Sequence, residues 1–214
     1  HYNTVSGYGY ALGYLGSLIS VFLVFPFADN QNLLFVVTGF FFLIFSLPMF
    51  FLVKEKHVET NSIYHSFFSQ AKVGILRVVD TLRHISRYKN LSRYLISYFL
   101  YIDAVNTIIF FSGIYASKTL SFELTQLAIF FIIVQFTAMI GSFIFGYVGN
   151  KLGTKNSIMF TLVIWTLIVF YIFLFVKPNS LFSISGISFH IFFIVGGVAG
   201  LFLGATQSLS RALM

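Results

Sequence analysis

Six stretches of this chain are long and apolar enough to cross a lipid bilayer, and nearly every charge lies between them. They run Tyr8–Phe27, Leu33–Val53, Leu91–Ala116, Leu124–Val148, Ser157–Val176 and Ile187–Ala205. A crossing helix needs about 20 mostly apolar residues. Hydrocarbon offers no water to bond free N–H and C=O groups, so each stretch must satisfy its backbone internally, as an α-helix. The expected fold class is therefore all-α, a polytopic transmembrane helix bundle of six spans. Composition points the same way: 58% of the residues are hydrophobic, 9% are charged and 30 are Phe. A soluble domain carries about 25% charged residues, and 214 residues could not enclose that much apolar surface in a water-soluble core.

The basic residues set an orientation. Lys54, Lys56, Lys72, Arg77, Arg83, Arg87, Lys89 and Arg93 flank or fill the one long connection, Lys54–Asn90. Lys151 and Lys155 follow two crossings later, and Arg211 two crossings after those. These eleven share one side of the membrane, and only Lys118 and Lys177 fall on the other. Such an asymmetry marks the long connection as cytoplasmic. It also accounts for the net charge of +7 without nucleic acid, which is not an expected partner; the lipid bilayer is. Within the long connection, Ile63, Phe67, Ala71, Ile75, Val79, Leu82 and Ile85 recur every three or four residues. That period predicts an amphipathic helix lying along the membrane surface.

Between the fourth and fifth spans lies Gly146-Tyr-Val-Gly-Asn-Lys-Leu-Gly-Thr-Lys155, read as a short, glycine-rich, basic turn. It resembles the cytoplasmic loop of major facilitator superfamily transporters, roughly G-x-L-A-D-R-x-G-R-K. Three further stretches accompany it: Ser6-Gly-Tyr-Gly-Tyr-Ala-Leu-Gly-Tyr-Leu-Gly16, Tyr101-Ile-Asp-Ala-Val-Asn-Thr-Ile108, and Gly204-Ala-Thr-Gln-Ser-Leu-Ser-Arg211. With Gln135, and in this order, they resemble the vacuole effluxer family of that superfamily, whose fungal members are autophagy-related vacuolar amino-acid exporters. The resemblance implies helices five to ten of a twelve-helix carrier. Residues 1–53 would then be the last two helices of the N-terminal half, 54–90 a cytoplasmic linker with the amphipathic helix, and 91–214 the first four helices of the C-terminal half. Both chain ends read as cuts, so the missing helices of the same polypeptide count among the expected partners. Two positions depart from the family pattern. Asn150 stands where the loop usually has Asp, which leaves a cytoplasmic gate weaker or held by hydrogen bonds alone. Ala104 stands where the seventh-helix motif usually has Gly.

Asp103 is the strongest candidate for chemistry. It lies near the middle of its span, where a carboxylate costs about 2.5–3.5 kcal/mol even on the lenient insertion scale. Asn106 and Thr107 follow within about one turn. The expectation is that Asp103 binds a coupling proton or a substrate amine near the midplane, sharing a polar cavity with these neighbours; the alternative is a structural bond locking two helices. Gln135 is a further substrate candidate, with interhelical bonding as its alternative role. Gln207 and Arg211, one turn apart, form a possible gate beside the loop residues Gly146, Asn150, Lys151, Gly153 and Lys155. Gly196, Gly200 and Gly204 recur every fourth residue, as do Gly9, Gly13 and Ser17, and both stripes predict close helix packing. His190 reads as packed or interfacial. The histidines form no metal-ligand pair on one helix, cysteine is absent, and neither a metal nor a cofactor is expected. No phosphate loop, nucleophile elbow or close carboxylate pair points to an enzyme. The expected function is secondary active transport of a small solute by alternating access. The resemblance implies amino acids as candidate solutes and protons as a candidate drive. The rival is a non-transporting membrane scaffold or an inactive truncated product.

Overall fold

A computed structural model describes residues 2–27, 30–53, 67–83, 89–184 and 187–213. Seven helices dominate it: α1 (Tyr2–Val24), α2 (Gln31–Leu52), α3 (Phe67–Arg83), α4 (Lys89–Ile114), α5 (Leu124–Leu152), α6 (Thr154–Phe175) and α7 (Ile191–Leu213). A 3₁₀ turn, Phe25–Phe27, ends α1, and a π turn, Tyr115–Thr119, continues α4. Six of these segments are long and apolar enough to span a membrane: Tyr2–Phe27, Asn32–Leu52, Lys89–Thr119, Leu124–Leu152, Thr154–Phe175 and Ile191–Leu213. The fold is an all-α polytopic bundle with one short β-hairpin.

The chain divides into two compact units. The first comprises His1–Phe42 and Asp103–Met214, the second Leu43–Ile102. In the second, α3 is amphipathic as its period predicts, and Ile75 and Val79 on its apolar side are exposed. The expected helix members Ile63 and Ile85 lie outside the described residues. Tyr94, Tyr98 and Tyr101 form a ring ladder along α4, with successive centroids 6.1 and 5.5 Å apart.

The core of the first unit is the parallel pair α5 and α7. Gly196, Gly200 and Gly204 of α7 stand against Phe130, Val134 and Ala138 of α5, each four residues on from the last. At Gly204 an added Cβ would collide with the Ala138 carbonyl, and at Gly141 with the Leu201 backbone. Backbones this close need small residues on the facing stripes, because lipid tails give helices no hydrophobic push toward one another. Around the N-terminal end of the pair, Phe130 stacks on Phe192 at 4.8 Å, and Phe122, Ile168, Val176 and Val195 fill the surrounding space. Farther along, Val105, Trp165 and Leu203 join α4, α6 and α7. The Trp165 indole N–H donates to the Thr206 hydroxyl at 3.3 Å, so its one polar atom is satisfied in the apolar interior.

Several expected boundaries move. The last span does not begin at Ile187: Ile187–His190 is a strand, paired antiparallel with Leu181–Ile184, and the helix runs instead from Ile191 to Leu213. Ile187-Ser-Phe-His190 alternates apolar and polar residues, the period of a strand, and the pairing fixes it. His190, placed by sequence inside the span, closes the hairpin. It is buried against Phe122, with Nε2 3.0 Å from the Lys177 carbonyl and Nδ1 accepting the Phe192 N–H at 3.2 Å. The Gly146–Lys155 turn is almost entirely helix. α5 continues to Leu152, α6 starts at Thr154, and Gly153 alone connects them with φ +85°, a conformation that suits glycine. At the other end, α5 opens with the Gln126 side chain accepting the Glu123 N–H at 3.0 Å, as in a capping box. Ser17 meets Gln135 of α5, but Gly9 and Gly13 of the same stripe do not pack as expected. Added Cβ atoms would meet only the Arg211 side chain at Gly9 and nothing within 4 Å at Gly13. The close approach on α1 is made by Gly7.

Candidate functional site

The first six residues of α1 include the polar Asn3, Thr4 and Ser6, and Asn3, Ser6 and Gly7 are among its buried residues. They are buried because α1 lies antiparallel against α5 and α7, at the end of the bundle where Lys151, Lys155 and Arg211 gather. The helices touch most closely at Gly7. A Cβ there would stand 2.6 Å from the Ser142 carbonyl oxygen and 3.1 Å from the Gly146 Cα. Gly146 in turn faces the Asn3 carbonyl and the Gly7 Cα, and Gly149 faces the side chains of Leu209 and Asn3. Gly146 and Gly149 thus serve helix contact, not the turn.

With the backbones so near, short polar side chains bridge the gap. Asn3 Nδ2 donates to Asn150 Oδ1 at 3.1 Å and to the Thr154 hydroxyl at 3.0 Å. Asn150 Nδ2 donates to the Thr4 hydroxyl at 2.6 Å. The Ser6 hydroxyl donates to the Ser208 carbonyl at 2.7 Å. The Tyr8 and Tyr147 hydroxyls meet at 2.5 Å. Tyr14 donates to Gln207 Oε1 at 2.6 Å, and the Arg211 guanidinium stands 6.0 Å from the centre of the Tyr10 ring. Farthest from the basic end, Gln135 Nε2 donates to the Ser17 hydroxyl at 2.8 Å. Each of these hydrogen bonds joins neutral groups; Arg211 contributes through its charge over a ring.

Beyond the seam, toward the opposite end, α4, α5, α6 and α7 enclose a cavity of about 170 Å³. Its walls include Ile108, Phe130, Val134, Trp165 and Val195, with Ser112 and Gln135 as polar members.

The structure brings Asn150, Gln207, Arg211 and Gln135 together along α1, and sets Lys151 and Lys155 exposed beside them. It does not bring Asp103, Asn106 and Thr107 to Gln135. All three are exposed and absent from the cavity walls, because α4 turns Val105, Ile108, Ile109 and Ser112 inward instead. α4 thus carries a packed apolar face and a separate uncovered polar face that holds Asp103, Asn106 and Thr107 together. Sequence reasoning missed Asn3, Thr4, Tyr8, Tyr14, Tyr147 and Thr154 as contact residues. The available signal was a run of small and polar residues at helical spacing at the start of α1, opposite the glycines of α5.

Six spanning helices define an integral, multi-pass membrane protein. The chain belongs to the vacuole effluxer Atg22-like family, whose model matches residues 1–214. It is 28% identical over 189 residues to the uncharacterized MFS-type transporter YxiO of Bacillus subtilis, an alignment covering 79% of this chain and 41% of that relative. It is 25% identical to autophagy-related protein 22 of Kluyveromyces lactis, covering 98% of this chain and 45% of the relative. With autophagy-related protein 22 of Vanderwaltozyma polyspora, identity is 27%, over 65% of this chain and 31% of the relative. The chain spans less than half the length of these relatives. No solved structure matches it.

Proposed function

We propose that this chain forms helices five to ten of a secondary transporter that moves a small solute by alternating access. α1 belongs to one half of the carrier and α4–α7 to the other. The observation that carries this reading is the seam: one helix closes against two others from the basic, cytoplasmic end as far as the Gln135–Ser17 bond, through hydrogen bonds between neutral groups. A carrier must make and break such a contact in each cycle. A close backbone approach with short neutral bridges holds it without burying charge. In this reading Asn150, Gln207 and Arg211 form the closed gate. The uncovered face of Asp103, Asn106 and Thr107 turns to the central pathway, where Asp103 takes the coupling proton or a substrate amine. The family's vacuole effluxer description and the MFS-type name of the Bacillus relative support transport, and amino acids are the first solutes to test.

The test is counterflow. The full-length polypeptide containing this chain, reconstituted in liposomes loaded with unlabelled amino acids, is expected to accumulate labelled amino acid above protein-free liposomes. No accumulation across a panel of neutral, acidic and basic amino acids would sink the amino-acid reading; failure with other small solutes as well would favour a non-transporting scaffold.

A further inference from the structure

The charges of α3 are sorted around its apolar stripe. Ala71, Ile75, Val78 and Val79 lie on that stripe, and Ile75 and Val78 are 65% and 61% exposed. At about 100° per residue, Lys72 and Arg83 fall on one edge of the stripe, between Val79 and Leu76. Arg77 lies beyond the other edge. Asp80, the one acidic residue of the helix, falls nearly opposite the centre of the stripe. All four charged residues are exposed. Cations placed this way run their stems along apolar surface and carry their charge past it. The helix is also tethered: five residues separate Arg83 from Lys89, where the next spanning helix begins. A link of that length reaches at most about 20 Å, so the C-terminal end of α3 stays near the membrane surface.

We propose that α3 docks on the membrane surface through this stripe, and that Lys72, Arg77 and Arg83 make the docking selective for anionic lipid headgroups. The stripe alone would partition onto a bilayer of any charge. The flanking cations add the selectivity, because one Lys or Arg near an anionic surface is worth about fivefold in partition. Lys72 and Arg83 stand eleven residues apart on the same edge, about 16 Å along the helix axis. They therefore engage separate headgroups and not one phosphate. Asp80, on the side away from the stripe, is spared repulsion by the lipid. A stripe packed under other helices would show no dependence on lipid charge. The inference stands apart from the transport reading, since a scaffold would dock in the same way. Loss of counterflow and loss of lipid selectivity would be separate results.

The chain has no cysteine, so a fluorophore can be placed on α3 alone. The full-length polypeptide, with any cysteine outside residues 1–214 changed to serine, would carry Ile75→Cys on the stripe or Val73→Cys on the far side. Each labelled protein would be reconstituted in phosphatidylcholine vesicles, with and without phosphatidylserine, and quenched with acrylamide from the water. Position 75 is expected to be shielded in the anionic vesicles and accessible in the neutral ones, with the difference shrinking at high salt. Position 73 should be accessible in both. Lys72→Gln, Arg77→Gln and Arg83→Gln together should shift docking about a hundredfold toward the free form and erase the difference. Arg77→Lys with Arg83→Lys keeps the charge and should keep the difference. Position 75 equally accessible, or equally shielded, in the two lipids would overturn the proposal. So would a lipid difference that survives the triple substitution, or a shielded position 73.

Discussion

Asn150 reaches from α5 to α1 and donates its amide to the Thr4 hydroxyl at 2.6 Å, while its carbonyl accepts from Asn3 at 3.1 Å. Asn150→Ala removes both bonds and leaves two polar groups of α1 without these partners. The cost is expected at about 1–2 kcal/mol. The chain has no cysteine, so a single Ser142→Cys, fully buried under α1, can report opening by its maleimide labelling rate. That rate should rise about tenfold in Asn150→Ala, since about 1.4 kcal/mol is a factor of ten in an equilibrium. Asn150→Asp keeps an acceptor and should fall between the two, with a labelling rate that now depends on salt. An unchanged rate in Asn150→Ala would mean that the bond does not hold the seam.

Gly7 and Gly13 lie on the same helix, and only Gly7 should respond to alanine. At Gly7 the added carbon meets the Ser142 carbonyl oxygen at 2.6 Å, a backbone atom that cannot swing aside; at Gly13 it meets nothing within 4 Å. Overpacking of this kind costs about 1–3 kcal/mol. Gly7→Ala should therefore increase labelling of Cys at position 142 by about tenfold or more, with Gly13→Ala unchanged. Equal labelling in the two variants would refute Gly7 as the point of closest approach.

The same logic separates two glycines on α7. Gly204 abuts the backbone of Ala138 and Ser142, whereas a carbon at Gly197 would rest 3.5 Å from a methyl of Ile133. Gly204→Ala should lower the thermal midpoint of the detergent-solubilised protein by several degrees, and Gly197→Ala should leave it nearly unchanged. A stable Gly204→Ala would show that α5 and α7 can separate without loss.

What the sequence revealed, and what it hid, follows from how each signal is written. The α5–α7 contact was legible because Gly196, Gly200 and Gly204 repeat at the period of a helix face, a pattern that needs no partner to be seen. The start of α1 was hidden because Asn3, Thr4 and Ser6 lower the local hydropathy, and polarity reads as a span end. Their burial becomes visible only once Gly146 and Gly149 are known to face them. The hairpin was hidden for the opposite reason: Ile187, Phe189 and the apolar start of α7 merge into one run. The alternation in Ile187-Ser-Phe-His190, the period of a strand, was the clue. Asp103 was legible as an anomaly by its position alone. Its surroundings were not, since which face of α4 packs depends on Trp165 and Leu203, far away in sequence.

Asp103 gives the last prediction. It sits with Asn106 and Thr107 on the exposed face of α4, and no hydrogen bond or ion pair reaches it among the described residues. If this carboxylate carries the coupling proton, Asp103→Asn in the full-length polypeptide should lose uphill uptake driven by a pH gradient. Counterflow, which needs no net proton movement, should persist. The side chains are nearly the same size and Asn106 and Thr107 remain in place, so folding should be little affected; the retained counterflow would itself show that. Loss of both activities would assign Asp103 to solute binding and not to coupling. If uptake and its pH profile were both unchanged, Asp103 would have no part in transport, and the polar face of α4 would serve packing against other helices.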